Sequence, residues 1–177
     1  MEIKAVKFRK DGFYTQPFAF GGEEGMDKFD KNVRYRGSLQ NYLIDTGDEV
    51  ILLDTGFTDA VPEEVPDESS LGFTGYAISD YLTAFKALGY QPEQVTKILL
   101  THRHNDHSGS IGLFPNAKVY VNADELGAEE LKGAGNLTPV AFTDGPYYNF
   151  PESQKIMDGG IYGQGEGPYQ RQQHCDH

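Results

Sequence analysis

Apolar and polar positions alternate through Ile3-Lys4-Ala5-Val6-Lys7-Phe8, the period of a strand with one face on a core. The same chemistry recurs in Leu39-Gln40-Asn41-Tyr42-Leu43-Ile44-Asp45 and in Glu49-Val50-Ile51-Leu52-Leu53-Asp54, and the intervening Thr46-Gly47-Asp48 predicts a β-hairpin. From Gly12 to Arg34, aromatics, glycines and charges mix without a period, which predicts a surface excursion. Farther on, Ile78, Tyr81, Leu82, Phe85 and Leu88 fall at helical spacing, and Gly89 is a natural stop. Pro92-Glu93-Gln94-Val95 connects this helix to Lys97-Ile98-Leu99-Leu100, an apolar run suited to a strand covered on both faces. Lys118-Val119-Tyr120-Val121 predicts another strand, and Ala123 to Lys132 a short helix with an acidic start. Strands and helices alternate without an internal repeat, the signature of a layered α/β domain.

Composition narrows the partners. The chain of 177 residues is long enough for one sizeable core. Its net charge of −12 argues against a nucleic-acid surface and favours a small-molecule substrate. Met1-Glu2-Ile3-Lys4 leads into Phe8-Arg9-Lys10-Asp11 without an apolar run for a signal peptide or a membrane span, so a cytoplasmic location with no membrane partner is expected. Cys175 has no intrachain partner, which excludes disulfides and a Cys-rich zinc site.

The chemistry concentrates at Thr101-His102-Arg103-His104-Asn105-Asp106-His107-Ser108-Gly109, where three of the 5 histidines and an aspartate follow directly on a buried strand. In an extended segment His102 and His104 project to the same side, so both imidazoles can reach one metal ion. Asp106 and His107 come a turn later, where Ser108-Gly109-Ser110 suggests entry into a helix, and can address a neighbouring ion. Imidazole with carboxylate suits zinc or iron, and two adjacent ions bring the pKa of a bridging water towards neutrality. Asp54 is open between two roles, holding a ligand imidazole from behind or capping the Thr55-Gly56 turn. Thr101 and Ser108 read as loop residues bonding to the backbone rather than as nucleophiles, because no separate His/Asp pair stands ready to activate them.

Together, Leu53-Asp54-Thr55-Gly56 and the Thr101 to Gly109 run resemble the metallo-β-lactamase superfamily, over roughly the first four-fifths of the chain. The resemblance implies an αββα sandwich, a member of the α/β class, with its N-terminal half largely present and its C-terminal half missing. It implies two zinc ions, with iron or manganese as alternatives, His102 and His104 on the first and Asp106 and His107 on the second. Metal-bound hydroxide would attack an ester, lactone or thioester-like substrate, with Asp106 as the catalytic residue orienting the water or protonating the leaving group. The segment most resembles the lactonase-like and glyoxalase-II-like branch, and His104 in place of Glu leans away from the flavodiiron branch. Tyr14, Phe18, Phe20, Tyr35, Tyr147 and Tyr148 are candidates for an apolar substrate pocket, and equally for core or loop anchors.

The chain departs from the family near its end. The third histidine in a Gly-His-Thr/Ser-x-Gly loop, the bridging aspartate and the last histidine do not appear in frame. The expected division is therefore an incomplete metallo-β-lactamase-like domain over 1–162 and a non-family tail over 163–177. Read one nucleotide later, the codons of Gly167-Pro168-Tyr169-Gln170-Arg171-Gln172-Gln173-His174-Cys175-Asp176 can encode Gly-His-Thr-Lys-Gly-Asn-Ser-Ile-Val-Ile, the absent loop followed by a strand, which suggests a frameshifted product. His174 and His177 read as a polar terminal pair rather than as substitute ligands. The alternative to a hydrolase is an inactive fragment or metal-binding scaffold that self-associates, as a homodimer, through its uncovered sheet.

Overall fold

The hairpin around Thr46-Gly47-Asp48 forms as expected, with the Thr46 amide donating to the Glu49 carbonyl at 3.0 Å, and it lies within a larger mixed sheet. The computed structural model describes residues 1–20, 26–58, 64–157 and 160–164. Strands β1 (Glu2–Thr15), β2 (Arg34–Asp45), β3 (Val50–Leu53), β4 (Thr74–Ala77), β5 (Val95–Leu99), β6 (Lys118–Asn122) and β7 (Leu137–Val140) build a 7-stranded sheet in the order β4-β1-β2-β3-β5-β6-β7. The strands from β4 to β3 pair antiparallel, and β3, β5, β6 and β7 run parallel. A separate antiparallel pair consists of β8 (Glu152–Met157) and β9 (Gly160–Gln164). The helices α1 (Gln16–Phe20), α2 (Tyr81–Lys86) and α3 (Asn105–Ser108) are short.

Alternation along the strands sends Val6, Leu43, Leu52, Ile98 and Val119 to one face, where they pack with Tyr81 and Phe85 of α2 and with Phe114. Each such fully buried side chain contributes roughly 1.5–3 kcal/mol relative to an exposed one. α2 begins at Asp80, whose carboxylate accepts from the Thr83 amide at 2.8 Å. It stops before Gly89, whose φ of +91° is readily reached only without a side chain. Phe85 and Phe114 meet edge to face at 5.1 Å, fixing the helix on the sheet.

Two expectations change. β1 continues through Gly12-Phe13-Tyr14-Thr15 and β2 starts at Arg34, so the excursion between them is shorter than the missing period implied. Register shifts between Lys7 and Arg9 and between Arg9 and Gly12 are the reason, since bulges break the alternation without ending the strand. The segment Ala123 to Lys132 is not one helix but two 3₁₀ turns, Ala123–Glu125 and Glu129–Leu131. Gly127 lies between them, and Asn122 turns the first by accepting from the Asp124 amide at 3.1 Å. The expected boundary between 162 and 163 falls within β9, while the stretch from 165 to 177, with the frameshift reading, His174, Cys175 and His177, lies outside the described residues. Among the described residues no helix is long and apolar enough to cross a membrane.

Candidate metal centre

Parallel pairing of β3 with β5 places Leu53 beside Leu99, so the residues that follow the two strands emerge together at one sheet edge. The Asp54 amide donates to the Leu99 carbonyl at 2.9 Å, and the backbone then turns sharply, with a φ of 61° at Asp54. This left-handed conformation is costly for a residue with a side chain, and it is held by a dense set of bonds. Asp54 is only 5% exposed. Its Oδ1 accepts from the Thr101 amide at 2.7 Å and its Oδ2 from the Thr101 hydroxyl at 2.7 Å. Oδ2 also lies 2.8 Å from Nδ1 of His107. The carboxylate therefore grips the start of the histidine segment and an imidazole at its end, rather than capping Thr55-Gly56.

Thr55 closes the other side. Its amide and hydroxyl both donate to the His107 carbonyl, at 2.6 and 3.0 Å. Its hydroxyl oxygen accepts from the Ser110 amide at 3.2 Å. Ser108 donates its hydroxyl to the Arg103 carbonyl at 2.6 Å, the backbone-bonding role expected of it. Thr101 bonds chiefly to a side chain instead, through Asp54. Tyr81 packs beneath Gly56, and its hydroxyl finds no hydrogen-bond partner among the described residues. Burial, followed by the Asp54 charge, pushes that phenol well above its ordinary range.

The loop brings the three histidines together. The His102 ring lies 4.8 Å from that of His104 and 4.0 Å from that of His107. His104 is the N-cap of α3, and Asp106 and His107 lie on that single turn, which ends at Ser108 where the sequence suggested that a helix begins. Oδ2 of Asp106 lies 3.4 Å from Nε2 of His107. Since the Thr101 hydroxyl donates to Asp54, a hydrogen bond between Thr101 Oγ1 and His102 Nδ1, 3.1 Å apart, requires the ring to donate, which puts the imidazole lone pair on Nε2.

Charge separates these imidazoles. Burial, then the nearby His107 and His104, lowers the His102 pKa to about 4, so this ring is neutral at pH 7. Burial also pulls His107 down, but hydrogen bonds to Asp106 and Asp54 outweigh it and the net value rises to about 9. Asp106 is pulled upward by burial, yet its bond and proximity to His107 hold it below the usual carboxylate range.

A neutral, half-buried imidazole, two further imidazoles in ring contact and a carboxylate behind one of them form a donor set whose chemistry fits a metal ion. Among the described residues, however, no three His, Cys, Asp or Glu side chains converge as a ready-made ligand cage. Of the candidate aromatics, Tyr14 meets Tyr35 at 5.5 Å and Phe18 at 6.5 Å, and Phe20 meets Tyr35 at 5.8 Å. Tyr147 and Tyr148 form a pair of their own at 4.6 Å. Sequence spacing missed the bonding of Thr101 to Asp54, which has no local signal, since the partners are 47 positions apart.

A mixed sheet that gathers a His-x-His-x-Asp-His loop at the ends of its parallel strands defines a class, and the chain belongs to the metallo-beta-lactamase superfamily, whose family model matches residues 35–154. It is 30% identical over 101 residues to an N-acyl homoserine lactonase of Bacillus cereus, a match covering 51% of this chain and 39% of that protein. It is 46% identical over 43 residues to metallo-beta-lactamase domain-containing protein 1 of Mus musculus, covering 24% of this chain and 16% of that one. A solved N-acyl homoserine lactone hydrolase, with N-hexanoyl-L-homoserine bound at its catalytic metal center, superimposes with a TM-score of 0.63 at 18% identity, over 90% of this chain and 62% of that chain. The chain thus spans less than two thirds of each relative's length, and the expected α/β metallo-β-lactamase fold class holds for the shared part.

Proposed function

We propose that this chain carries the metal-binding portion of a metal-dependent hydrolase acting on an ester, lactone or thioester carbonyl of a small-molecule substrate in the cytoplasm. The observation that carries the reading is the placement of His107, clasped by Asp54 through Nδ1 at 2.8 Å, with the His102 ring 4.0 Å away. His102, His104, Asp106 and His107 would hold the metal, zinc in the first instance, with iron or manganese as alternatives. Bound there, the metal supplies an activated water at neutral pH and polarises the carbonyl. The chain's own contribution is positional. Asp54 and Thr101 fix the tautomer and direction of the imidazoles, and Asp106 is the group suited to carry a proton to the leaving oxygen. The likeness to N-acyl homoserine lactonases supports a lactone before the other carbonyl classes.

The test compares the chain with an extended form in which the codons from Gly163 onward are read one nucleotide later. The extended protein is expected to bind zinc and to open an N-acyl homoserine lactone, with loss of activity on chelation. A protein that takes up no metal in either form defeats the reading. Equal metal content in both forms would show that the extension is not needed for the site.

A second reading has its own support. On the sheet face opposite α2, Ile3 is 59% and Tyr42 39% exposed. Such a surface favours a self-associating scaffold, a homodimer through the sheet face. Concentration-dependent sedimentation without turnover in either form supports this reading, and a strictly monomeric, active chain rejects it.

A further inference from the structure

We propose that a cavity beside the β1 bulge binds an organic anion, a carboxylate or phosphate group carried on an apolar body. The bulges turn both Phe8 and Arg9 inward, which regular alternation forbids, and leave Arg9 only 5% exposed. Its guanidinium stacks over Phe57 at 5.5 Å, but its Nε has no hydrogen-bond partner and no carboxylate pairs with it among the described residues. An unpaired buried cation is costly, so a site built around one implies a counter-charge from outside the fold.

The surroundings match. Arg9 lines a cavity of about 570 Å³ together with Lys7, Lys10 and Arg36, within the size range of small-molecule sites. Among the described residues Asp11 is the one carboxylate on its wall, and it lies 3.9 Å from the Lys10 ammonium. A local excess of positive charge in a chain of net charge −12 focuses anions at this cavity. Phe13, with Arg36 over its ring at 5.6 Å, and Ile78 supply apolar wall. Inorganic anions would use only the cationic half. This cavity does not depend on the hydrolase reading, since none of its lining residues belongs to the histidine cluster.

The experiment measures thermal stability and ligand-induced NMR shifts of the full chain with hexanoate, hexyl phosphate, inorganic phosphate and neutral hexanamide, at matched chloride. At a hundredfold excess over Kd, hexanoate or hexyl phosphate is expected to raise the melting midpoint by about 5 °C. The stronger of the two identifies the head group. Arg9→Met should abolish the response and raise the melting midpoint of the ligand-free chain. Should that variant fail to fold, Arg36→Gln, at an exposed position, should weaken binding about tenfold while leaving the ligand-free midpoint unchanged. An equal response to hexanamide, inorganic phosphate binding as tightly as hexyl phosphate, or an undiminished response in Arg36→Gln would overturn the proposal.

Discussion

Nδ1 of His107 lies 2.8 Å from Oδ2 of Asp54, a carboxylate 53 positions earlier in the chain. The contact links the end of a buried strand to the turn that carries Asp106. The same carboxylate holds Thr101 through two bonds of 2.7 Å, so one buried acid orients both ends of the histidine loop.

Replacing Asp54→Asn puts an amide donor against groups that themselves donate. Zinc affinity should fall about 10–100-fold, as for other residues that orient a ligand imidazole. Competition with a chromophoric chelator measures it. An affinity within twofold of the parent would show that the carboxylate does not align the imidazole.

In chelator-treated protein the histidines should titrate far apart, His102 near a pKa of about 4 and His107 near about 9. The two have opposite consequences for stability. His107, raised from 6.5, stabilises fully below pH 6.5, and its contribution is lost as pH rises through about 9. His102, lowered from 6.5, contributes fully above pH 6.5, and its contribution is lost as pH falls towards about 4. Stability from this pair should therefore peak near pH 6.5, which urea unfolding across pH 4–9 would register. Imidazole NMR titrations that coincide would contradict the assignment.

Gly109 has no room for a side chain, because an added Cβ would meet the Asn105 carboxamide and carbonyl and lie 3.0 Å from the Gly56 carbonyl. Gly109→Ala should cost about 1–3 kcal/mol and displace the turn that carries Asp106 and His107. Thermal unfolding beside zinc titration checks both effects. Unchanged stability would mean that the approach of the two loops is looser than it stands.

Asp80 caps α2 through bonds to the Thr83 amide at 2.8 Å and the Thr83 hydroxyl at 2.6 Å. The Thr83 hydroxyl and amide hold its carboxyl below the ordinary carboxylate range. Its contribution is present above the unfolded pKa and disappears as pH falls through the lower folded value. Asp80→Ala should cost about 1 kcal/mol at pH 7. Below the folded pKa the difference should narrow, and denaturant midpoints at pH 7 and pH 2 test both halves of the statement.

How much of this could be read from the residues alone depends on the range of the interactions. The helix at Tyr81, the hairpin at Thr46 and the strands before His102 and after Ala117 declare themselves through short periods and turn residues, which act over a few positions. The candidate cluster is legible for the same reason, with His102, His104, Asp106 and His107 lying within six consecutive residues. Where the local signal was weak, the reading failed. The run from Ala123 to Lys132 has helical composition, yet Gly127 and the Asn122 cap divide it into separate 3₁₀ turns.

Composition and periodicity thus carried the class of fold and the clustering of the three histidines with Asp106, because both are written in neighbouring residues. Which groups the Asp54 carboxylate bonds to, how Thr101 joins it, and the burial of Arg9 at a bulge came from pairings between strands distant in sequence. Such pairings are set by register, and register is a property of the assembled sheet, where a shift of one residue turns an exposed cation into a buried one.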